Sequence, residues 1–225
     1  MRFADRQDAG RRLAADLERL QLRGPVVLAL PRGGVPVGAE VATALGAPLD
    51  VFVVRKLGAP HQPELGIGAV AEGRDEPVLG EHAWQLLSGP DQLREAVDAE
   101  RAELARRVDR YRRGRPLPAV ADHDVVVVDD GLATGVTAEA AVAALRDRRP
   151  RRIVFAAPVA AADTKDRIST LADEVVCVSC PAQLMAIGMW YDDFTQVSDD
   201  EVLEILDRSA RMSCDHGRDG GGAVA

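Results

Sequence analysis

Short runs of apolar residues recur along this chain, and a segment of helical length follows each of them. A strand that is apolar along its whole length is covered on both faces, as the strands of parallel sheets are. Regular alternation of such strands with helices predicts an α/β fold that is doubly wound, with a mainly parallel sheet flanked by helices. The predicted strands cover residues 26–30, 49–54, 125–128, 152–159 and 174–180.

The segments between the strands show the spacing of amphipathic helices. A chain of 225 residues fits a single domain, which we assign to residues 1–212. An insertion at residues 57–116 contains the longest helix, and the glycine-rich end from Ser213 predicts a disordered tail over residues 213–225. Helices are predicted at residues 5–22, 35–45, 91–113, 136–148, 161–171 and 199–212.

Composition argues against several kinds of partner. The net charge of −8 provides no basic surface for nucleic acid. No apolar run approaches the roughly 18 residues of a membrane span, and the N-terminus lacks the apolar core of a signal peptide. We therefore expect a soluble, cytoplasmic protein that binds neither nucleic acid nor membrane.

Cys177 and Cys180 have the spacing of some zinc and redox sites. They lie in a predicted strand, where residues three apart point to opposite faces and cannot easily hold one ion. We interpret them as buried strand cysteines.

In an open parallel sheet, ligands bind beyond the carboxyl ends of the strands. Asp129 and Asp130 end the third apolar run, and a loop with Thr134 and Thr137 leads from them into a helix. Free N–H groups at a helix start, together with hydroxyls, suit a phosphate, and two carboxylates suit vicinal hydroxyls. The two acids alone would equally fit a receiver-like or sugar-phosphate domain that binds only Mg²⁺.

The string VVVVDDGLATGVT at residues 125–137 resembles, at every position, the phosphoribosyl diphosphate (PRPP) binding signature of type I phosphoribosyltransferases. The resemblance covers about residues 25–195 and implies that fold. It implies that Asp129 and Asp130 hold the ribose hydroxyls and count among the catalytic residues. The implied 5-phosphate site consists of Gly131, Leu132, Ala133, Thr134, Gly135, Val136 and Thr137.

Two other loops strengthen the resemblance. Residues 30–34, LPRGG, resemble the family's diphosphate loop, and the basic pair at residues 55–56 is similar to the one that precedes the lid in orotate-type members. Taken alone, each could be a solvated cation beside a turn or a strand end. Lys56 is one of only two lysines among 28 basic residues, which favours a specific role. The resemblance implies diphosphate binding by Arg32, Gly33, Gly34, Arg55 and Lys56, with Arg32 and Lys56 catalytic.

Residues 57–80 stand where the family has a mobile lid, and residues 181–212 where it has a C-terminal hood and helix over the acceptor. His61, Glu64 and Glu72 are candidate acids or bases in the lid, although each could be an ordinary loop residue. The hood's aromatic residues could instead pack the last helix onto the core. The candidate acceptor residues are Met185, Trp190, Tyr191 and Asp192, with Asp193 beside them.

The resemblance implies transfer of the 5-phosphoribosyl group from PRPP to a nitrogenous base or similar ring, with release of diphosphate, in nucleotide salvage. It also implies Mg²⁺, held mainly by PRPP with Asp129 and Asp130 as candidate protein ligands, and a homodimer. Ala133 stands where hypoxanthine-guanine members carry an acid, so activation of the acceptor base must come from elsewhere, or the acceptor is not a purine. The alternative is a non-catalytic PRPP-binding regulatory protein.

Overall fold

The computed structural model of the chain describes residues 2–59, 62–80 and 83–216. Short 3₁₀ turns cover Glu18–Leu20 and Ile187–Trp190. In chain order the helices and strands are α1 (Arg6–Leu17), β1 (Val26–Ala29), α2 (Gly34–Leu45), β2 (Leu49–Val51), β3 (Val54–Ala59), β4 (Gln62–Ala71), β5 (Val78–Leu79), α3 (Ala83–Leu86), α4 (Pro90–Arg112), β6 (Asp124–Val128), α5 (Val136–Arg146), β7 (Arg152–Val159), α6 (Ala162–Ile168), β8 (Glu174–Ser179) and α7 (Asp199–His216).

The main sheet has five parallel strands in the order β2-β1-β6-β7-β8. This confirms the predicted doubly wound α/β fold. The strand order reverses direction between β1 and β6, and in such sheets the ligand crevice forms at the point of reversal. The loops that follow these two strands are those predicted above to bind the diphosphate and the 5-phosphate.

Both faces of the sheet are covered, which explains why its strands are apolar throughout. Val27 and Val126 point to the face that carries α1 and α2, and Leu28 and Val127 to the opposite face, where α5 and the β3–β4 hairpin lie. All four side chains are fully buried or nearly so.

The insertion forms a small antiparallel sheet in the order β3-β4-β5. Leu57 and Ile67 of this sheet pack against Val97 of α4 in a core of their own. The described residues of the predicted lid, 57–80, thus form most of this small sheet. No helix in the described part of the chain is long and apolar enough to cross a membrane.

Two expectations differ from the structure at the C-terminal side. The interpretation as buried strand cysteines was wrong: Cys177 is only half-buried because β8 is the edge strand of the sheet, and Cys180 is exposed and lies after the last residue of β8. Helix α7 continues to His216 instead of ending at residue 212, so it runs into the segment predicted to be a disordered tail. Residues 217–225 lie outside the described residues.

Candidate functional site

The loops after β1 and β6 touch each other at the point where the strand order reverses. A methyl group on Gly33 would overlap the carboxylate oxygen Oδ2 of Asp130, and one on Gly34 would lie 2.6 Å from the carbonyl oxygen of Val128. Only glycine allows this approach, since any side chain would push the two loops apart. The Pro31–Arg32 peptide bond in the first loop is cis. The predicted diphosphate loop and the predicted ribose acids are therefore direct neighbours.

Asp129 and Asp130 lie half-buried at the end of β6. The backbone N–H of Asp130 donates to Oδ1 of Asp129 at 2.9 Å. Burial, and next to it the charge of Asp130, raise the pKa of Asp129 well above its usual value. Burial also raises the pKa of Asp130, against the lowering effect of Arg6. Two carboxyl groups held this close favour a ligand that brings hydrogen-bond donors or positive charge.

Arg6 of α1 is the main site residue that the sequence did not reveal. Its Nε donates to Oδ2 of Asp130 at 2.8 Å, and its Nη1 donates to the carbonyl oxygen of Thr195 at 2.8 Å. The guanidinium carbon lies 3.9 Å from the ring centroid of Phe194. With side chains only 11% and 14% exposed, Arg6 and Asp130 form a well-shielded ion pair. Helical spacing predicts only the buried face of α1, and no motif marks this arginine.

Within the predicted 5-phosphate segment, residues 131–137, the loop ends at Gly135, whose φ of 80° lies in the left-handed region, and α5 begins at Val136. The first N–H groups of a helix have no partner inside it, and the helix dipole adds positive potential there. Leu132 is fixed differently: its N–H donates to Val159 at 2.8 Å and its carbonyl accepts from Ala161 at 2.9 Å. Leu132 therefore anchors the loop to β7, and its N–H is not directed at a ligand.

The three predicted diphosphate cations lie in different surroundings. Arg32 lines the cleft, and its Nη1 is 3.9 Å from Oδ1 of Asp199. Arg55 turns to α4, where its Nε donates to Oε2 of Glu100 at 2.8 Å. Lys56 is exposed, and its stem lies over Gly66, where a methyl group would overlap it. Arg32 is thus the one of the three that the structure places beside Asp130 in the cleft.

A cavity of about 510 Å³ opens between the two loops and the hood. Arginine and aspartate side chains line the side formed by the two loops, and small, apolar and aromatic residues line the hood side. Its described lining consists of Arg6, Arg32, Gly33, Asp130, Ala186, Ile187, Gly188, Phe194, Gln196 and Val197.

Tyr191, a predicted acceptor residue, is part of the hood's own core. Its side chain is 2% exposed and its ring lies between Phe3 and Phe194, at centroid distances of 5.4 and 4.9 Å. The hydroxyl donates to the carbonyl oxygen of Asp130 at 2.7 Å. Trp190 is half-buried in the same cluster. Tyr191 therefore follows the alternative that aromatic residues of the hood pack onto the core. Phe194, and not Tyr191, presents an aromatic ring to the cavity.

The remaining hood candidates lie outside the cavity lining. Met185 is 87% exposed. Asp192 is exposed and lies 3.2 Å from Nε of Arg2, and Asp193 accepts from the hydroxyl and the N–H of Thr195. The structure does not bring these side chains to the cleft.

Among the lid candidates, Glu72 has contacts that indicate a structural role. Glu72 is 8% exposed and accepts from Nη2 of Arg112 at 2.9 Å. A buried carboxylate held by a buried arginine is not placed to exchange protons with a substrate. His61 and the side chain of Glu64 lie outside the described residues.

The described residues contain no group of three or more His, Cys, Asp or Glu side chains that could hold a metal ion. Asp129 and Asp130 offer oxygen ligands, the type that Mg²⁺ prefers. This ligand set fits a metal that takes most of its oxygens from a bound substrate and a minority from the protein.

Comparison with known proteins agrees with the motif. The family model for the phosphoribosyl transferase domain matches residues 4–193. Two curated proteins from strains of Mycobacterium tuberculosis, both bearing the name "Putative phosphoribosyl transferase", are 46% identical over 214 residues. The match takes in 93% of this chain but 47% of each relative, so the chain spans about half their length. The crystal structure of TT1426 from Thermus thermophilus is similar at 47% identity and a TM-score of 0.79, covering 92% of this chain and 98% of that one.

Proposed function

Because the chain belongs to the phosphoribosyl transferase family, we propose that it transfers the 5-phosphoribosyl group of PRPP to a nitrogenous ring acceptor and releases diphosphate. The observation that carries the proposal is the close contact of Gly33 with the carboxylate of Asp130. A ligand bound there would meet Arg32 and Asp130 together, and the loop that leads from Asp130 to α5 is proposed to hold its 5-phosphate. The cytoplasmic location, the homodimer and the role in salvage stay predictions.

In this proposal the chain mainly binds and orients the donor. Asp129 and Asp130 accept hydrogen bonds from the ribose hydroxyls, and the loop before α5 holds the 5-phosphate. Arg32 neutralises charge on the diphosphate as the bond from C1 to oxygen breaks, and Lys56 is proposed to reach it from β3. Mg²⁺, bound mainly by PRPP with Asp129 and Asp130 as candidate ligands, would stabilise the leaving diphosphate.

The hood side of the cavity supports a flat acceptor. Ile187 and Phe194 supply an apolar and an aromatic surface, which favour a planar ring. Ala133 gives the acceptor no acid from the 5-phosphate loop. Recognition of the ring edge is therefore assigned to backbone groups of the hood and to Gln196.

The test is the binding of PRPP with Mg²⁺, measured by thermal shift and by calorimetry. The double variant Asp129→Asn with Asp130→Asn is expected to abolish the stabilisation that PRPP gives to the wild type. Asp98→Asn, the same chemical change at an exposed position of α4, is the control and should bind normally. A wild type whose melting temperature ignores PRPP would contradict the proposal.

A PRPP-binding regulator is the second candidate, and one observation favours it. Of the described residues that line the cavity, Asp130 is the only carboxylate, and it is paired with Arg6. None of these side chains is thus placed to accept the proton of an acceptor ring. Release of diphosphate from PRPP across a panel of purines, pyrimidines and other rings decides between the two. Turnover with one ring supports the transferase, and tight binding without turnover supports the regulator.

A further inference from the structure

Helix α6 holds two carbonyl groups of the 5-phosphate loop. The hydroxyl of Thr164 donates to the carbonyl oxygen of Ala133 at 2.6 Å, and Nη2 of Arg167 donates to the carbonyl oxygen of Thr134. Thr164 is 2% exposed, so its hydroxyl is shielded from water. Neither residue belongs to the donor motif, and both come from a different part of the chain.

The consequence for the loop follows from peptide geometry. A peptide unit is planar, and in its trans form the C=O and N–H bonds point in opposite directions. The peptide bonds that follow Ala133 and Thr134 are both trans. When α6 holds the carbonyls of these residues, the N–H groups of Thr134 and Gly135 must point away from α6. This direction leaves them available to the donor's 5-phosphate, which is proposed to bind on the side of the loop away from α6.

Further contacts make this arrangement rigid. Nε of Arg167 donates to Glu139 in the first turn of α5 at 2.5 Å, so one guanidinium joins the loop to the helix that follows it. A methyl group on Gly135 would lie 2.6 Å from Cγ2 of Thr164 and 2.9 Å from Nη2 of Arg167. The loop therefore rests directly on α6, and Arg167 offsets the negative charge of Glu139 beside the phosphate site.

We propose that Thr164 and Arg167 are positioning residues for the 5-phosphate, which act by fixing the direction of the N–H groups of Thr134 and Gly135. The inference rests on the proposed function, because it assumes that this loop binds the donor's phosphate. It predicts a selective effect, since the diphosphate would bind on the other side of the ribose, at Arg32.

Calorimetry of the full chain with three probes tests the selectivity: PRPP with Mg²⁺, ribose 5-phosphate, and inorganic diphosphate. Thr164→Val keeps the shape of the side chain and removes the hydroxyl, and it should weaken ribose 5-phosphate and PRPP about tenfold. Diphosphate should bind as to the wild type. Thr164→Ser restores the hydroxyl and should return both affinities to within about twofold. Asp166→Asn, exposed on the same helix, is the control.

Two results would overturn the inference while leaving the proposed function intact. One is wild-type affinity of the valine variant for ribose 5-phosphate, and the other is an equal loss for all three probes, which would indicate general damage. A wild type that binds no PRPP would overturn the proposed function and this inference with it. If the valine variant does not fold, Arg167→Gln at a partly exposed position carries the same test, with the same selective loss expected.

Discussion

Arg112 is the centre of a buried ion cluster that links the insertion to the main sheet. Replacing it with methionine should destabilise the fold strongly. Its guanidinium donates to Asp50 at 3.3 Å, to Glu72 at 2.9 Å and to the carbonyl oxygen of Val51 at 2.6 Å. The side chain is 3% exposed, and those of Asp50 and Glu72 are 10% and 11% exposed. The cluster joins the end of α4 to β2 and to the turn after β4.

The magnitude follows from what the variant leaves behind. Removing one partner of a buried ion pair costs about 3–5 kcal/mol, because the remaining charge is uncompensated. Here two carboxylates and a carbonyl lose their donor, so the upper part of this range is expected. With about 4–5 kcal/mol, at about 2–4 °C per kcal/mol for a domain of this size, the melting temperature should fall by roughly 8–20 °C.

The free energy of unfolding is measured in urea for two separate variants, Arg112→Met and the control Arg113→Met. Arg113 is the next residue, 57% exposed, with Asp207 at 3.4 Å, so its pair should contribute less than about 1 kcal/mol. Similar free energies of unfolding for the two variants would refute the reasoning. Glu72→Gln in addition separates the structural role from the acid or base role, because it should lower stability without a specific effect on turnover.

The pH dependence of the Arg112 variant gives a second signature. Burial raises the pKa of Asp50 even though Arg112 lowers it, so without Arg112 the pKa should rise further. A carboxyl group whose pKa is raised on folding stabilises the fold below its unfolded pKa of about 3.9, and this contribution disappears as the pH rises through the folded pKa. The cost of Arg112→Met should therefore be smaller at pH 5 than at pH 8. A cost independent of pH would show that Asp50 takes up no proton.

Three further changes test the site. Gly33→Ala should weaken PRPP at least about tenfold in calorimetry, because its methyl group would displace the carboxylate of Asp130; normal affinity would show that the two loops can separate freely. Tyr191→Phe should lower the free energy of unfolding by about 1–2 kcal/mol, since it removes the bond to the carbonyl of Asp130, and it should leave the preference among acceptor rings unchanged. The hydroxyl of Tyr111, with Arg110, holds the pKa of Asp199 below 3.8, so Asp199→Asn should cost about 1 kcal/mol at pH 7. A carboxylate whose pKa is lowered on folding stabilises the fold above its unfolded pKa, and this contribution is lost as the pH falls through the folded pKa. The difference in stability between the variant and the wild type should therefore fade below about pH 4 in urea titrations.

The parts of the fold that the sequence predicts are those in which local pattern and burial coincide. Strands β6 and β7 are covered on both faces, so they read as continuous apolar runs, and β7 was predicted with its observed bounds. The loop between β6 and α5 was predicted from its own string, because its glycines and acids interrupt the apolar pattern whatever surrounds them, and its binding of the donor stays a prediction. The edge strand β8 is also largely apolar, and the sequence of a single strand does not reveal that it lies at an edge, which is the origin of the error on Cys177. Cys180 was wrong because the strand ends one residue before it.

Side-chain contacts between residues that lie far apart in the sequence could not be predicted. Glu72 was a candidate acid or base with an ordinary loop role as the alternative, and the contact that assigns it a structural role is with Arg112, 40 positions away. Helix α4 carries several arginines in its last two turns, and nothing in their spacing distinguishes the buried one from its exposed neighbours. Tyr191 likewise depends on Phe3, which lies in a segment without a motif.

The hood is the clearest case of a site built from both ends of the described chain. The N–H of Phe3 donates to Trp190 and its carbonyl accepts from Asp192, while Arg6 reaches Asp130 and Thr195. The N-terminal segment thus holds the hood side of the cavity, the proposed acceptor side, in place and contacts Asp130, a proposed ligand of the ribose, at the same time. In the proposed reaction Ala133 offers the acceptor no acid from the 5-phosphate loop, so changes that alter the choice of ring should fall in the N-terminal segment and the hood. A change of ring preference obtained only by substitutions in the 5-phosphate loop would contradict this division.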